Sequence, residues 1–270
     1  MHNNWLTTNL SHRCTNPKLN FLVDICPYPV KILNFDDECN ITAKIIANFN
    51  KKIYIGLSGG IDSEFVCEVF LKNKIDFIPI IVCYDGNEEE RAYAFKYCKE
   101  KQIKPIIIEI TEKQIVNCIW NTLVKKFNGI GIYSVGAIIA AEYAENNNGI
   151  FVEAEHFIGD GLEEIQDFKY YIPEWDFYTS VLFPKKVFLF FLYRLELCHA
   201  MIKTIDIKHN DWMTYKHIVY NRPLRPKMKP SYSRIVNKII KLINCSKKNI
   251  PTSHYFIGNK IELIKKLSCS

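Results

Sequence analysis

The run Ile53-Tyr54-Ile55-Gly56-Leu57-Ser58-Gly59-Gly60-Ile61-Asp62-Ser63-Glu64-Phe65-Val66-Cys67-Glu68-Val69-Phe70 opens as a β-prone apolar segment and breaks at two adjacent glycines. It resumes with Phe65, Val66, Val69 and Phe70 at helical spacing. It reads as strand, tight loop and helix. Adjacent glycines let a backbone take φ > 0 and approach an anion, and the first turn of the following helix presents unpaired N–H groups at the positive end of its dipole. The loop therefore reads as a phosphate cradle, with Ser58 and Ser63 adding hydroxyl donors. Asp62 sits in the same loop. Its charge would repel a phosphate unless a cation stood between them, which implies Mg2+.

Neither of the two commonest nucleotide loops is present here, since the stretch contains no Gly-x-x-x-x-Gly-Lys-Ser/Thr and no Gly-x-Gly-x-x-Gly. Ser58-Gly59-Gly60-Ile61-Asp62-Ser63 after an apolar strand resembles instead the PP-loop of the ATP pyrophosphatases of the adenine nucleotide α-hydrolase type. That group includes asparagine, NAD and GMP synthetases, the 7-cyano-7-deazaguanine synthases and the lysidine synthetases that modify tRNA. The resemblance covers roughly residues 50 to 165. It implies that the chain binds ATP with Mg2+ and cleaves it to AMP and pyrophosphate, adenylating an oxygen of an acceptor that a nitrogen or sulfur nucleophile then attacks. In that scheme Ser58, Gly59, Gly60 and Ser63 hold the leaving pyrophosphate and Asp62 anchors the metal, Asp62 and Ser63 being the candidate catalytic residues. Substituting Asp62 by Asn is then expected to remove activity while sparing the fold.

The chain around the loop reads as α/β: a twisted parallel sheet with helices on both faces and a helical carboxyl-terminal appendage. Asp36 to Phe49 has acids in its first turn and Ile41, Ile45, Ile46 and Phe49 at helical spacing, which predicts a helix packed on the sheet. Phe77–Cys83 is a continuous apolar run of the kind buried in parallel sheets, ending in the turn Tyr84-Asp85-Gly86-Asn87. Ligands of doubly wound sheets sit at that carboxyl edge, and the resemblance places adenine against the backbone of Val82 and Cys83. A helix over 88–101, a strand over 104–110, a helix over 112–127, a small-residue helix over 137–144 and a strand over 149–154 continue the alternation. The run Val187–Tyr193 reads as a buried helix, and residues 1 to 33 as an extended lead-in with one short strand. The resulting domains are an amino-terminal extension (1–49), the ATP-binding domain (50–170) and a helical, basic region (171–270).

A second group of candidates follows the 149–154 strand: Glu153, Glu155, His156, Asp160, Gly161, Glu163 and Glu164. Asparagine synthetases carry metal-binding carboxylates at the corresponding strand end, so Glu155 and Asp160 are candidate Mg2+ ligands, although the family's Gly-Glu-Gly-Ala-Asp-Glu order is not reproduced. Each carboxylate also reads as a residue that solvates a loop. His156 has no second histidine at ligand spacing, which argues against zinc.

The formal charge of +6 is unevenly placed: from Trp212 to Ile261 there is no Asp or Glu and eleven Lys or Arg, so the rest of the chain is acidic. Within that span Asn221-Arg222-Pro223-Leu224-Arg225-Pro226-Lys227-Met228-Lys229-Pro230 is kept from helix by its prolines. Arg222 and Arg225 are candidate contacts to triphosphate, pyrophosphate or an RNA backbone, with a solvated surface as the alternative. Tyr220 reads either as a base-stacking or as a core residue.

Ten cysteines without any Cys-x-x-Cys pair read as reduced, mostly buried thiols. With no spanning segment and no basic-then-apolar leader, the expected setting is cytoplasmic, without a membrane partner. His2 stands where an amino-terminal glutaminase needs cysteine, so ammonia or sulfur would be free or delivered by a partner protein. The acceptor is a small molecule or tRNA, and a homo-oligomer is compatible with the sequence. A non-catalytic ATP-binding subunit is the remaining alternative.

Overall fold

The computed structural model describes residues 5–10, 21–127, 134–155, 158–160, 169–173, 177–204, 216–217, 219–221 and 254–259, with the backbone alone described at 124, 158–160, 169–173 and 254–259. Its centre is a five-stranded sheet made of β3 (Lys52–Gly56), β4 (Ile78–Cys83), β5 (Ile106–Glu109), β6 (Gly149–Glu153) and β9 (Val187–Leu189). The strands lie in the order β5-β4-β3-β6-β9 and every neighbouring pair is parallel. Numbered within the sheet this is 3-2-1-4-5, a doubly wound order that reverses direction beside the central strand β3.

The pleat divides the core into two layers. Ile53 and Ile55 of β3 share one layer with Ile81, Ile150, Val152 and Phe188, while Tyr54 shares the other with Ile80, Phe151, Val187 and Leu189. Helices α1 (Phe35–Ala47), α2 (Ile61–Lys72) and α3 (Glu88–Glu100) supply the first layer. Helices α4 (Glu112–Cys118) and α6 (Val135–Asn146) supply the second. Helices thus lie on both faces of the sheet, which is why the middles of its inner strands β3, β4 and β6 are apolar on both sides rather than alternating with polar residues. Asn34 caps α1, its side chain accepting from Asp37 N at 2.9 Å.

Three elements differ from the sequence-based expectation. The run 112–127 is not one α-helix: α4 passes into a π-helical stretch, Ile119–Val124, before a last short α5 (Lys125–Phe127). Ile115, Ile119, Leu123 and Phe127 are all buried, at intervals of four residues. In a regular α-helix residues four apart drift by about 40° per step, so the wider turns keep all four side chains on the sheet. Second, Val187–Leu189 is the fifth parallel strand rather than part of a buried helix, and a 3-10 turn, Phe190–Leu192, leads from it into α8 (Leu195–Thr204). A short apolar run buried on both sides has no periodicity that separates strand from helix. Third, the lead-in holds two strands, β1 (Leu6–Thr8) and β2 (Val23–Ile25), paired antiparallel. Flanking side chains Trp5, Leu10 and Phe21 are buried in the second core layer.

A smaller antiparallel sheet comprises β7 (Ile158–Asp160), β8 (Lys169–Pro173) and β10 (His254–Asn259), with β8 in the middle. The short α7 (Tyr178–Leu182) lies between β8 and β9. Helix α8 is tied to α1 by the buried Glu38 carboxylate, which accepts from Arg194 Nη1 at 2.8 Å and from Leu33 N at 2.9 Å. No helix among the described residues is long and apolar enough to cross a membrane. Among the described cysteines all are free thiols, and burial pushes Cys39, Cys67 and Cys198 well up and Cys98 to about 11.

Candidate functional site

The loop between β3 and α2 stands at the carboxyl end of the central strand, beside the point where the sheet order reverses. In doubly wound sheets that is where the crevice for ligands opens. Leu57 N donates to Ile80 O at 2.9 Å, carrying the ladder one residue beyond β3, and the chain then turns through Ser58, Gly59 and Gly60. Gly59 has φ of +92°, and a Cβ on it would overlap the carbonyl oxygen of Glu90 and stand 2.7 Å from the carbonyl carbon. The close approach that requires glycine here is therefore between the loop and the first turns of α3. Gly60 differs: its φ of −72° suits any residue, and a Cβ would meet only Ser58 Oγ, at 3.3 Å.

Hydroxyls close the loop on itself. Gly60 N donates to Ser58 Oγ at 3.2 Å, Ser63 Oγ donates to Gly60 O at 2.9 Å, and the two serine oxygens lie 3.3 Å apart. Ser58 is exposed and Ser63 buried beneath it, so the outer hydroxyl is held toward solvent at the start of α2. This suits the loop to an anion, because its internal bonds fix the exposed Ser58 hydroxyl and the first turn of α2 before the ligand arrives.

Asp62 occupies the first turn of α2, and both of its oxygens are engaged. Lys216 Nζ donates to Oδ2 at 2.8 Å and Tyr220 OH donates to Oδ1 at 2.8 Å. Tyr220 N donates to Lys216 O at 2.9 Å, so a single helical turn presents both side chains on one face. The Tyr220 ring stacks on Phe65 with centroids 4.2 Å apart, and Phe35 and Phe191 complete the cluster. Tyr220 is thus a core residue. Neither partner of Asp62 was legible as one; the only sequence signal is the four-residue spacing of Lys216 and Tyr220 in a span otherwise read for its net charge.

At the end of β4, the Val82 carbonyl accepts from Asn87 Nδ2 at 2.8 Å and the Cys83 carbonyl accepts from Ile110 N at 2.9 Å. The buried Asn87 side chain also accepts from Tyr84 N at 3.0 Å, which organises the turn. Burial raises the Cys83 thiol, with the Arg91 guanidinium pulling the other way. Arg91, missed in the sequence, therefore stands at the same edge as the loop.

At the end of β6, Glu153 is buried and accepts from Thr179 Oγ1 at 2.6 Å. Burial, and then the charge of Glu155, hold its carboxyl well above the usual carboxylate range. The folded state thus binds a proton that the unfolded chain releases near 4.5. Its stabilising contribution is complete below that pH and is lost as pH rises through the folded value. Glu153→Gln keeps the acceptor for Thr179 and removes the titration. Its melting temperature should gain on wild type progressively as pH rises from the ordinary carboxylate range toward 8; thermal melts across that range check this, and a pH-independent gap would refute it.

Glu155 is half-buried next to Glu153, and Asp160 ends β7 with its backbone opposite Lys169. The side chain of Asp160 is not among those described, and His156, Gly161, Glu163, Glu164, Arg222 and Arg225 lie outside the described residues altogether. Among the described residues no group of three or more His, Cys, Asp or Glu could hold a metal ion. Of the candidate metal ligands, Asp62 has both of its oxygens engaged by Lys216 and Tyr220.

No protein-family model and no curated protein matches the sequence. Solved structures do match. The NH3-dependent NAD synthetase from Campylobacter jejuni aligns over 45% of this chain and 55% of its own, at 20% identity and a TM-score of 0.33. The match thus spans about half the length of that enzyme. The NMN synthetase from Francisella tularensis aligns over 80% of this chain and 96% of its own, at 14% identity and a TM-score of 0.38. A predicted subunit of tRNA methyltransferase from Methanocaldococcus jannaschii aligns over 78% and 98%, at 12% identity and a TM-score of 0.40. Likenesses of this strength determine neither a substrate nor a reaction.

Proposed function

We propose that the chain binds ATP through the Ser58–Ser63 loop and cleaves it between the α and β phosphates. The single observation that carries the proposal is the loop itself: its residues, its two-hydroxyl network and its place at the carboxyl end of the central strand. In this reading the triphosphate lies against Ser58, Gly60 and the first turn of α2, and the adenine lies toward the end of β4 at Val82 and Cys83. An oxygen of the acceptor attacks the α-phosphorus, the bond to the β-phosphate oxygen breaks, and pyrophosphate leaves with that electron pair. A nitrogen or sulfur nucleophile then displaces AMP from the adenylated acceptor. The chain's contribution is positioning and fixed dipoles at the developing pyrophosphate charge, without a nucleophilic side chain. Mg2+ belongs to the proposal as an ion of the chemical step, offsetting the charge of the leaving pyrophosphate from among its water and phosphate ligands, and not as a requirement for the loop to hold the phosphates.

The acceptor is proposed as a small carboxylic or carbonyl compound. A tRNA acceptor is the second reading, favoured by the acid-free span from Trp212 to Ile261 and its eleven cations. Incubation with ATP, Mg2+, small carboxylic or carbonyl acceptors and ammonium or sulfide donors, or with tRNA as the acceptor, is expected to yield AMP and pyrophosphate in equal amounts. ADP and phosphate as the main products would overturn the reaction assigned. Tight ATP binding without turnover under every condition would mark a nucleotide-binding subunit.

A further inference from the structure

Lys216 reaches the loop from 154 positions beyond Asp62 and is held there by more than its ion pair. Its side chain is only 6% exposed, against 21% for Asp62. One turn on, the Tyr220 ring lies in the stack formed with Phe65, Phe35 and Phe191, so this turn cannot lift off the loop without drawing an aromatic ring out of the core. The ammonium is a fixed charge, not a surface lysine resting by chance on a carboxylate.

Electrostatics then bear on what the loop needs. A carboxylate in the first turn of a helix that receives a polyanion opposes the ligand, and a cation must offset it. The usual solution is a divalent ion. Here a buried ammonium already stands 2.8 Å from Asp62 Oδ2, and a phenolic hydroxyl occupies Oδ1. A second cation on the same carboxylate would be repelled by the first, at close range and with little water between them.

We infer that Lys216 takes the place of a metal ion at Asp62, so that the loop holds the phosphates of its ligand without a divalent cation bound to that carboxylate. Lys216 and Tyr220 act as positioning residues: they neutralise and orient Asp62 and leave the exposed Ser58 hydroxyl and the first turn of α2 to face the anion. The inference rests on the reading of the loop as a phosphate site.

The test is calorimetric titration of the full chain with ATP and with inorganic pyrophosphate, in excess EDTA and in excess Mg2+. Wild-type affinity for each ligand is expected to agree within about threefold between the two conditions, since the offsetting charge is covalently part of the chain. Lys216→Met is expected to weaken binding in EDTA by about tenfold or more. Mg2+ should restore much of that loss, because an ion can then reach the vacated oxygen, and Lys216→Arg should remain metal-independent. This dependence on metal separates the inferred role from a structural one, which would weaken both conditions alike. Wild-type binding that requires Mg2+ overturns the inference and leaves the loop as a phosphate site standing. Absence of binding to either ligand in both conditions overturns the loop reading and the inference with it. If Lys216→Met does not fold, the wild-type comparison alone decides.

Discussion

Gly59→Ala is expected to lower the melting temperature by about 10 °C and to abolish nucleotide binding. Two independent costs meet at this position. The backbone φ of +92° is strained for any residue with a Cβ, and the new methyl would overlap the Glu90 carbonyl of α3. That oxygen belongs to a helical backbone and cannot rotate away as a side chain would. Loop and helix must therefore separate, at a cost of about 3–4 kcal/mol. Gly60→Ala is the internal control: with an ordinary φ and only Ser58 Oγ at 3.3 Å, it should melt within a few degrees of wild type. Because its methyl would stand on the side of the loop where the serine hydroxyl lies, it should still weaken ATP binding. Parallel melts and ATP titrations of the two variants separate the roles. A Gly59→Ala protein with wild-type melting would refute the account of the loop's packing.

The second large effect is expected at Asp62. Read as a surface carboxylate serving a cation, it ought to be replaceable by Asn at no cost to the fold. The contact with Lys216 reverses that expectation. Removing one partner of a shielded pair strands the other, and here the stranded group is an ammonium with 6% of its side chain exposed. The expected loss is roughly 3 kcal/mol, at the low end for such pairs because the Asn oxygen can still accept a hydrogen bond. In a chain of 270 residues that corresponds to a melting temperature lowered by about 6–12 °C. Removing both charges should cost less than removing one, so Asp62→Asn combined with Lys216→Met should recover part of the stability. Melting of the two single variants and the double variant tests this. A single Asp62→Asn variant as stable as wild type would show that the pair contributes nothing.

These two expectations mark where local pattern ends and tertiary contact begins. The sequence by itself determined the strand-loop-helix at 53–70, because an apolar strand, paired glycines and helical spacing are each visible within one short window. It determined the alternation of strands and helices through residue 154 for the same reason. The glycine at 59 was legible as a special backbone position, but what it makes room for, the Glu90 carbonyl, came only from the packing of α3 on the loop. Val187–Leu189 could be placed in the sheet only by its pairing with β6, since a run buried on both sides shows no period of its own. The π-helical turn at 119–124 followed from the need to keep four side chains spaced by four on one surface. Glu153 could be read as one acid among several; burial, and then the charge of Glu155, hold its carboxyl above the usual range, while the Thr179 hydroxyl, 26 positions on, pulls the other way. Lys216 is the extreme case. In sequence it is one of eleven cations in a basic span, and its meaning depends on a carboxylate 154 positions earlier. Charge composition is additive along a chain and can be read by counting. The partner of a charge is decided by the core that folds around it, here the aromatic stack that draws Tyr220, and Lys216 with it, onto the first turn of α2.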